Sequence, residues 1–547
     1  MEQFIYDEIQ KEKQDMIISA SGWRKIFVES QKEEDSNSKV NLPNLLICRS
    51  AALAFVKALK PTKPILIGTD TRPTGPVIAE NCCAVWEKMG IEYKYVGQIA
   101  TPEILAESQT GSYSSFYYIS ASHNPIGHNG FKFGSNGGVF NKEEVQPIIN
   151  EFEKIIENKV ELDFLSNIII NKINPDLELK RKASETYRKF IIKIIFGEEK
   201  PKSGKKIGVA IDFNGSARTL SIDEKLLSSL NIETSSINAK AGNIVHAIVP
   251  EAENLEYCKE QLQKCYDANP YYALGYMPDC DGDRGNLVYI NKNGKAEILS
   301  AQQVFALTVY ASLSFCKDSK KAIACNGPTS LRIDEICKRK DAKCFRSEVG
   351  EANVVNLAHN LRNQGYKVPM CGEGSNGGCI LYPSKVRDPL TTVLTVIKLL
   401  QSSNNDLPNL LEVLPKFTTT DAFSDLAGLK VRNKDYKTLK NNYEKLFKER
   451  WNSLKQQTGF DNFREYQTQG TKEKEGIGEE FRSGEAKGGL KIAFFDDKEE
   501  VLGFIWLRPS GTEPLLRLMA DVKGENQELH DLLLSFQRTL IIDAQQK

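Results

Sequence analysis

Histidine is scarce in the sequence, and neither sign of charge predominates. Five histidines occur among 547 residues and none stands in an HExxH pattern, which disfavours a zinc enzyme. Lysine plus arginine and aspartate plus glutamate each total 72, so the formal net charge is zero. A neutral chain has no general attraction for nucleic acid or for an anionic membrane. We therefore expect small molecules as partners, with no nucleic acid and no membrane among them.

Long apolar runs and CxxC motifs are also missing, although Cys82 and Cys83 are adjacent. The most apolar stretch that we identify, FIIKIIF at 190–196, is far shorter than the ~20 residues of a membrane-spanning helix. The N-terminal segment MEQFIYDEIQKEKQDM carries acids and no apolar core, so we expect no signal peptide. Twelve cysteines are scattered without a CxxC motif, as expected for reduced thiols. The predicted location is the cytoplasm.

Nucleotide-binding loops and short repeats are absent as well. Neither a Walker A sequence nor a GxGxxG after a predicted strand occurs, so no loop is dedicated to a nucleotide. No repeat recurs at the period of about 20–50 residues that is typical of a solenoid. Apolar and charged contents of 40% and 26% are those of a globular protein.

Short apolar runs alternate with helix-period stretches along most of the chain, which predicts α/β domains. The predicted strands that end at glycine or a polar turn are PILIG (64–68), SFYYIS (115–120), KIGVAID (206–212), YALGYM (272–277), AIACNG (322–327) and VPMCGEG (368–374). Asp388 followed by Pro389 predicts the start of a helix over LTTVLTVIKLL.

The composition changes after residue 405. Residues 434–489 are rich in lysine, glutamate, glutamine and glycine, and 472–489 can bury almost nothing. This composition predicts a solvated, charged insertion inside a last domain. Beyond it, LKIAFF and VLGFIWL predict strands, and an amphipathic helix is predicted around 525–542.

A serine lies at the end of a predicted strand in YYISASHNPIGHNGFKFGSNGG (117–138). Ser120 and Asn124 stand where a GxSxG elbow needs glycine, so an acyl-transfer triad is disfavoured. Glycine-rich backbone around the Ser122 hydroxyl suits a phosphate, and Lys132 can add a positive charge. A helix-capping serine in a turn is the alternative, and on this segment alone it is the more common one.

Three carboxylates alternate in PDCDGDRGN (278–286), after another predicted strand. Hard oxygen ligands at this spacing can hold one divalent cation. An EF-hand loop is rejected because its sixth and twelfth positions would be Arg284 and Ile290 instead of glycine and glutamate. An acidic surface turn is the remaining alternative.

Two further polar loops follow apolar runs. In CGEGSNGG (371–378), a glutamate and a serine can bind vicinal hydroxyls, although a plain turn explains this loop equally well. In WLRPSGTEPLLR (506–517), guanidinium, hydroxyl and backbone donors suit bidentate recognition of a phosphate, with a helix cap as the alternative. Together the four loops describe phosphoryl transfer through a serine on a sugar phosphate.

The four loops, in this order, resemble those of the α-D-phosphohexomutase superfamily, which includes phosphoglucomutase and phosphomannomutase. The segments that carry the resemblance are SASHNP (120–125) with NGFK (129–132), DCDGDR (279–284), GEGSNGG (372–378) and RPSGTEP (508–514). SGWRK (21–25) and GTDTRPTG (68–75) are also similar to family segments, so the resemblance covers nearly the whole chain.

The resemblance implies a heart-shaped α/β architecture of three related domains with mixed sheets and a smaller α+β C-terminal domain. The expected domains are 1–199, 200–302, 303–414 and 415–547. It further implies an isomerase that interconverts hexose 1-phosphate and hexose 6-phosphate through a phosphoserine and a hexose 1,6-bisphosphate. Mg²⁺ is the implied cofactor, hexose 1,6-bisphosphate the implied activator, and the expected assembly is a monomer or dimer.

The resemblance also assigns roles to individual residues. It implies catalytic roles for Ser122, His123, Lys132 and Arg24, and metal ligation by Ser122, Asp279, Asp281 and Asp283. The implied substrate-binding residues are Arg284, Glu373, Ser375, Lys385, Arg387, Arg508, Ser510, Gly511, Thr512 and Arg517. Lys385 or Arg387 is expected to supply a cation for proton handling or phosphate contact.

The sugar loop departs from the GExSGH form of bacterial dual-specificity members. Asn376 and Gly377 replace glycine and histidine, which favours a glucose-type mutase, as does SGWRK. Mannose or glucosamine phosphate stays open as the substrate. A non-catalytic sugar-phosphate-binding relative and a phosphatase that uses the same serine are the alternatives from other classes.

Overall fold

The buried apolar runs of the sequence form the central strands of four separate sheets. The computed structural model describes residues 3–546 except 21, 198–204, 377, 403–405, 423, 433–434, 477–487 and 511–514. The chain divides into two units, the first containing Met1–Leu299 with Pro383–Asn404 and the second Ser300–Tyr382 with Asn405–Lys547. Each unit contains two of the sheets.

The first sheet has the order β1-β2-β6-β5-β3-β4, with β7 paired to β6. Its strands are β1 (Ile17–Ser19), β2 (Gly22–Ile26), β3 (Ile65–Thr69), β4 (Tyr93–Gln98), β5 (Ser115–Ile119), β6 (His128–Ser135) and β7 (Gly138–Val139). The helices of this region are α1 (Gln3–Gln14), α2 (Leu42–Leu59), α3 (Gly75–Lys88), α4 (Thr101–Ser108), α5 (Lys142–Glu157), α6 (Lys159–Ser166) and α7 (Leu177–Phe196). Every residue of β3 and β5 is buried, as expected for strands that are covered on both faces.

The second and third sheets follow along the chain. The second contains β8 (Gly208–Asp212), β9 (Glu233–Ile237), β10 (Tyr272–Pro278), β11 (Gly285–Ile290) and β12 (Ala296–Ile298), with helices α8 (Asp223–Ser229) and α9 (Glu256–Ala268). The third contains β13 (Lys321–Asn326), β14 (Ala342–Ser347), β15 (Met370–Glu373) and β16 (Gly378–Leu381), with helices α10 (Ala301–Phe315), α11 (Arg332–Arg339) and α12 (Glu351–Asn363).

One topology recurs in these three sheets. A central strand (β3, β8 or β13) pairs in parallel, one on each side, with the two strands that follow it in the chain. The second of those parallel strands then turns back into an antiparallel neighbour, giving the hairpins β5–β6, β10–β11 and β15–β16. The expectation of three related α/β domains with mixed sheets is confirmed.

The fourth sheet is antiparallel and has the order β17-β23-β22-β21-β19-β20, with β18 paired to β23. It is preceded by α13 (Pro389–Ser402) and α14 (Leu407–Val413). Its elements are β17 (Phe417–Thr419), β18 (Gly428–Lys430), α15 (Tyr436–Thr458), β19 (Asn462–Gln469), β20 (Lys472–Glu475), β21 (Leu490–Phe495), β22 (Val501–Pro509), β23 (Leu515–Lys523) and α16 (Gln527–Ala544).

The prediction of a solvated insertion at 434–489 is wrong for most of the described residues of this segment. Helix α15 buries Tyr443, Leu446 and Phe447 in the core of the fourth sheet, and β19 and β20 extend that sheet. The many charged residues of α15 make its overall composition polar, although one face of the helix is apolar. Only one face of a helix needs to be apolar for it to pack on a core. Residues 477–487, at the centre of the predicted loop, lie outside the described residues.

Helix α2 corrects the expectation that no segment reaches membrane length. By length and composition it could cross a membrane, but 67% of it is buried inside the structure. Its apolar residues, including Leu46, Leu53 and Phe55, belong to the core of the first sheet. A buried core helix explains its composition without a membrane.

Helix α13 begins where the sequence predicts. The Asp388 carboxylate accepts a hydrogen bond from the Leu390 amide (3.0 Å), which caps the first turn beginning at Pro389. The helix belongs to the first unit, although it follows the third sheet in the chain. Each sheet lies within one of the four expected domains, and the boundaries of those domains stay a prediction.

A buried arginine connects several elements of the first unit. Arg218 pairs with Asp223 at 3.2 Å and with Asp388, and it donates to the Tyr187 hydroxyl at 2.7 Å. Its Nε donates to the Gly282 carbonyl at 3.0 Å. One guanidinium thus holds α7, the start of α8, the 279–284 loop and the residue before α13.

Arg218→Met should therefore destabilise the first unit strongly. The change leaves Asp223 and Asp388 as buried carboxylates without their cation, at an expected cost of about 3–5 kcal/mol in the free energy of unfolding. Urea denaturation followed by circular dichroism measures this cost. The matched control is Arg181→Met, because Arg181 pairs with Glu178 on an exposed helix face, and no measurable change is expected. Equal losses in the two variants would contradict the role of Arg218.

Candidate active site

Ser122 lies in the hairpin between β5 and β6, and its side chain is fully buried. Its φ of 53° is in the left-handed region, which is unusual for a residue other than glycine. The Ser122 amide donates to Ser120 Oγ at 2.8 Å, and its hydroxyl donates to Asp279 Oδ2 at 2.9 Å. The hydroxyl is therefore aimed at the aspartate loop of the second sheet.

The glycines after Ser122 have a different role from the one expected. Residues 128–135 form strand β6, so this segment is largely not a turn. A Cβ at Gly130 would lie 1.8 Å from the Trp23 carbonyl oxygen, and one at Gly134 would lie 2.1 Å from the Gly138 carbonyl oxygen. These two glycines permit close packing of neighbouring strands, so the expectation that they open the backbone around a phosphate is wrong.

The turn after β3 supports the serine loop. Arg72 is fully buried and donates to the carbonyl oxygens of Ser122, at 3.0 Å, and of Asn124. Asp70 orients this arginine by accepting from its amide and from its Nη1, both at 2.9 Å. The Asp70–Arg72 pair therefore fixes the backbone that carries the strained serine.

The three aspartates of the loop 279–284 lie together in the hairpin between β10 and β11. One oxygen from each of Asp279, Asp281 and Asp283 lies within 4.8 Å of the others, and all three side chains are buried. Lys132 Nζ binds Asp281 and lies 3.0 Å from Asp283 Oδ2, which also pairs with Arg387 at 3.1 Å. The alternative of an acidic surface turn is excluded by this burial.

The aspartate cluster fits a hard divalent cation. The Oδ1 atoms of Asp281 and Asp283 are buried, and within the described part of the chain neither accepts a hydrogen bond. Buried carboxylate oxygens without a donor are rare in folded proteins and suit a cation as their partner. Asp279 Oδ2, beside the Ser122 hydroxyl, can complete such a site.

Burial and the mutual charges of the cluster shift the pKa values of Asp279, Asp283 and Lys132. Burial, together with repulsion from Asp281 and Asp283, raises the pKa of Asp279 well above its ordinary value. Burial also disfavours ionisation of Asp283, but Arg387 and Lys132 outweigh it and lower the pKa of that carboxyl. For Lys132, burial opposes the charge, while Asp281 and Asp283 raise the pKa. Lys132 therefore stays positively charged.

Three arginines surround the serine and the aspartates. Burial and the nearby Arg284 lower the pKa of Arg24 to about 10, which leaves it charged at neutral pH. Burial and the charges of Arg284, Arg24 and Arg387 lower the pKa of His123 well below its usual value, so its imidazole is neutral. This excess of guanidinium groups suits a dianionic phosphate.

Lys385 is placed differently from the other predicted cations of the first unit. It is exposed, and its Nζ donates to the Asn136 carbonyl at 3.0 Å, in the turn between β6 and β7. Of the two residues expected to supply a cation, Arg387 is the one bound to the aspartate cluster.

In the second unit, Glu373 lies at the end of β15 and is buried. Its Oε1 accepts from Asn326 Nδ2 at 3.0 Å and from the Gly350 amide at 2.8 Å. Asn326 Nδ2 also lies 3.3 Å from Ser375 Oγ. The plain-turn alternative is less suitable, because Asn326, at the end of β13, positions both predicted hydroxyl-binding side chains. Gly377 lies outside the described residues.

Arg508 lies near the end of β22 and is directly opposite Arg517 on β23. Its Nε lies 2.8 Å from Glu348 Oε1. Glu348 itself is fixed by hydrogen bonds from Thr468 Oγ1 and the Gly489 amide, both at 2.7 Å. The two arginines therefore share one face of the fourth sheet, and a buried carboxylate orients Arg508.

The remaining residues of the last loop are only partly described. The Ser510 amide donates to the Leu515 carbonyl at 2.7 Å and closes the ladder between β22 and β23. Gly511 and Thr512 lie outside the described residues, so their predicted phosphate contacts stay a prediction.

Sequence reasoning missed several supporting residues. Thr101 donates through its amide to the Asp281 carbonyl (2.8 Å) and through its hydroxyl to Asp281 Oδ2 (2.9 Å). In the second unit, Glu348 positions Arg508, and Asn326 positions Glu373 and Ser375. The GTDTRPTG segment was a visible signal for Asp70 and Arg72, whereas Thr101 and Glu348 carry no local signature.

Comparison with known proteins agrees with this geometry. Family models for phosphoglucomutase/phosphomannomutase alpha/beta/alpha domain I, alpha/beta/alpha domain III and the C-terminal domain match residues 19–159, 301–417 and 465–537. The fold and the clustered serine and carboxylates define the class of phosphotransferring sugar mutases. The chain belongs to the phosphoglucomutase/phosphomannomutase family of the α-D-phosphohexomutase superfamily and is an enzyme of the isomerase class.

Individual relatives are distant but cover most of the chain. A phosphoglucomutase/phosphomannomutase of Thermococcus kodakarensis is 26% identical and covers 85% of this chain and 87% of its own length. A phosphoglucosamine mutase of Thermodesulfovibrio yellowstonii is 25% identical, with coverages of 88% and 91%. The crystal structure of a phosphoglucomutase/phosphomannomutase family protein from Burkholderia thailandensis has the same fold, with a TM-score of 0.65, 17% identity and coverages of 96% and 97%.

Asp281→Asn should weaken divalent cation binding by about tenfold or more, since even the loss of an outer partner of a metal site costs ~10–100-fold in affinity. Isothermal titration with Mg²⁺ or Mn²⁺ measures this effect without an activity assay. Asp267→Asn, at an exposed position on α9, is the control and should leave the affinity unchanged. Equal affinity in Asp281→Asn and the parent protein would exclude Asp281 as a ligand.

Proposed function

We propose that the protein interconverts hexose 1-phosphate and hexose 6-phosphate, with glucose as the hexose, through a phosphorylated Ser122 and a hexose 1,6-bisphosphate. The observation that carries this proposal is the buried Ser122 hydroxyl, 2.9 Å from Asp279 in a carboxylate cluster that fits a divalent cation. Catalytic hexose 1,6-bisphosphate is the proposed activator, and the cytoplasm is the proposed location.

Mg²⁺ is the proposed cation, held by Asp279, Asp281, Asp283 and an oxygen of phosphorylated Ser122, where it would neutralise charge on the transferring phosphoryl group. Lys132, Arg24 and Arg387 add positive charge around the same oxygens, because phosphoryl transfer depends mainly on positioning and charge neutralisation. Burial of Ser122 keeps water away from its phosphate, whose hydrolysis would leave the enzyme inactive.

The second unit is proposed to bind the rest of the substrate. Glu373 and Ser375 bind sugar hydroxyls, and Arg508, Arg517 and Ser510 bind the phosphate that does not react. Gly511 and Thr512 would add donors to that phosphate. After the first transfer the bisphosphate turns over, so both ends of the sugar are bound in turn by the same groups. Arg284, His123 and Lys385 are proposed to contact the substrate from the first unit.

Glucose is favoured by the sugar loop without histidine, and glucosamine is the second candidate because a phosphoglucosamine mutase is among the relatives. A direct assay distinguishes them. Purified protein is incubated with glucose, mannose or glucosamine 1-phosphate, together with Mg²⁺ and catalytic glucose 1,6-bisphosphate. Isomerised glucose 6-phosphate formed with the highest kcat/KM is the expected result. Release of inorganic phosphate alone would indicate a phosphatase, and no product from any sugar would indicate a non-catalytic relative.

Ser122→Ala should lower kcat by several orders of magnitude, because it removes the covalent nucleophile. Intact-mass and peptide analysis of the parent protein should find phosphate on Ser122 after incubation with glucose 1,6-bisphosphate. Ser112→Ala, at an exposed position, is the control and should retain full activity. Normal turnover in Ser122→Ala would reject the phosphoserine mechanism.

Arg508→Lys should lower kcat/KM roughly 10- to 150-fold through the loss of about 1.5–3 kcal/mol of charged hydrogen bonding. Lysine keeps the charge but cannot bind two phosphate oxygens in one plane. More free glucose 1,6-bisphosphate should also escape per turnover, since this loop must hold the turning intermediate. Arg464→Lys is the control, because the partly exposed Arg464 side chain pairs with Glu499 elsewhere on the same sheet. Wild-type kcat/KM without added release would show that Arg508 does not bind the substrate phosphate.

A further inference from the structure

Three cysteines of the third sheet lie together beside the parallel strands β13 and β14. Cys325 Sγ is 3.6 Å from Cys344 Sγ, and Cys337 on α11 is the third thiol that influences Cys344. Of the twelve cysteines, all within the described residues, only Cys316 and Cys344 are partly exposed. Cys344 is therefore a partly exposed residue whose sulfur has a second thiol, that of Cys325, 3.6 Å away.

The surroundings of Cys344 stabilise its thiolate. Arg346 Nη1 lies 3.5 Å from Cys344 Sγ and is held in place by Asp334 at 2.8 Å. Hydrogen bonds from the Cys325 and Cys337 thiols lower the pKa of Cys344, although burial and Asp334 oppose this change. A thiolate near a cation reacts with oxidants faster than a neutral thiol does.

The two strands lead directly to the groups that support the second unit's loops. Cys325 is followed by Asn326, which binds Glu373. Cys344 lies four residues before Glu348, which binds Arg508. A new bond between the two sulfurs would therefore act on both supports at once.

We propose that Cys344 and Cys325 form a site of reversible oxidation by hydrogen peroxide. The Cys344 thiolate attacks a peroxide oxygen, an S–O bond forms, the O–O bond breaks, and the leaving hydroxide takes up a proton. Cys325 then attacks the sulfur of the resulting sulfenic acid, an S–S bond forms, and water leaves with the Cys325 proton. Two thiols lose two electrons, and hydrogen peroxide becomes two water molecules. A dithiol reverses the reaction by exchange.

The disulfide should lower mutase activity, a consequence that rests on the proposed function. An S–S bond of ~2.05 Å must draw together sulfurs that are now 3.6 Å apart, which displaces the ends of β13 and β14. A displacement of ~1 Å at a positioning group can cost ~100-fold in rate. Oxidation should therefore reduce kcat/KM roughly 10- to 100-fold, and dithiothreitol should restore it.

Peptide mapping tests the modification without any activity assay. Trypsin separates the three cysteines into AIACNGPTSLR (322–332), IDEICK (333–338) and CFR (344–346). The full-length protein is treated with hydrogen peroxide, blocked with N-ethylmaleimide and digested without reduction. The expected product links 322–332 to 344–346. A link from 333–338 to 344–346, or unlinked CFR carrying N-ethylmaleimide, would overturn the assignment.

Variants separate the modification from its effect. Cys325→Ser should trap the sulfenic acid on Cys344, which dimedone labels, and Cys344→Ser should be insensitive to peroxide. Cys316→Ser, at the other partly exposed cysteine, should behave like the parent protein. A mapped disulfide that leaves kcat/KM unchanged would overturn the regulatory consequence. Because the map is made on the unmutated chain, it stands even if a variant fails to fold or the mutase assay fails.

Discussion

Three carboxylates buried within 4.8 Å of one another set the main constraint on this structure. Buried charges of one sign are stable only when cations or donors surround them. Lys132 and Arg387 provide the cations, and the Ser122 hydroxyl provides a donor to Asp279. The phosphoryl group proposed on Ser122 would bring further negative charge to the same place. A divalent cation would offset this charge, and the carboxylate oxygens that lack a hydrogen-bond donor would hold it.

The recurring sheet topology explains how such different loops acquire related positions. Each of the first three sheets places its polar loop in the hairpin between a parallel strand and its antiparallel neighbour. Hairpins between paired strands are held at both ends, so the side chains they carry are more precisely placed than those of free loops. In the first unit, Arg218 strengthens this arrangement because it holds both Gly282 and Asp388. Arg387, next to Asp388, thereby stays within reach of Asp283.

Local patterns were sufficient to predict the buried strands, the start of α13 and the four loops. They could not predict Thr101 or Glu348, because the contacts of these residues join segments 180 and 120 residues apart in the chain. Composition gave a wrong prediction at α15, where one buried helix face lies among many charged residues. The glycine pattern gave a wrong prediction at Gly130, which allows two strands to approach closely and does not form a turn. Boundaries and supports depend on tertiary packing, whereas motifs that carry chemistry are visible locally.

In the second unit, one pair of neighbouring strands positions both of the loops proposed to bind the substrate. Neighbouring strands β13 and β14 end in Asn326 and in the segment that reaches Glu348, so one strand pair positions the residues proposed to bind sugar and phosphate. A perturbation of this pair should alter binding of the hexose and of the distal phosphate together. It should leave the Ser122 cluster intact, because the contacts of Ser122, Lys132 and the aspartates described above all lie within the first unit. Oxidation at Cys325 and Cys344 would then weaken substrate binding while the serine keeps its own surroundings.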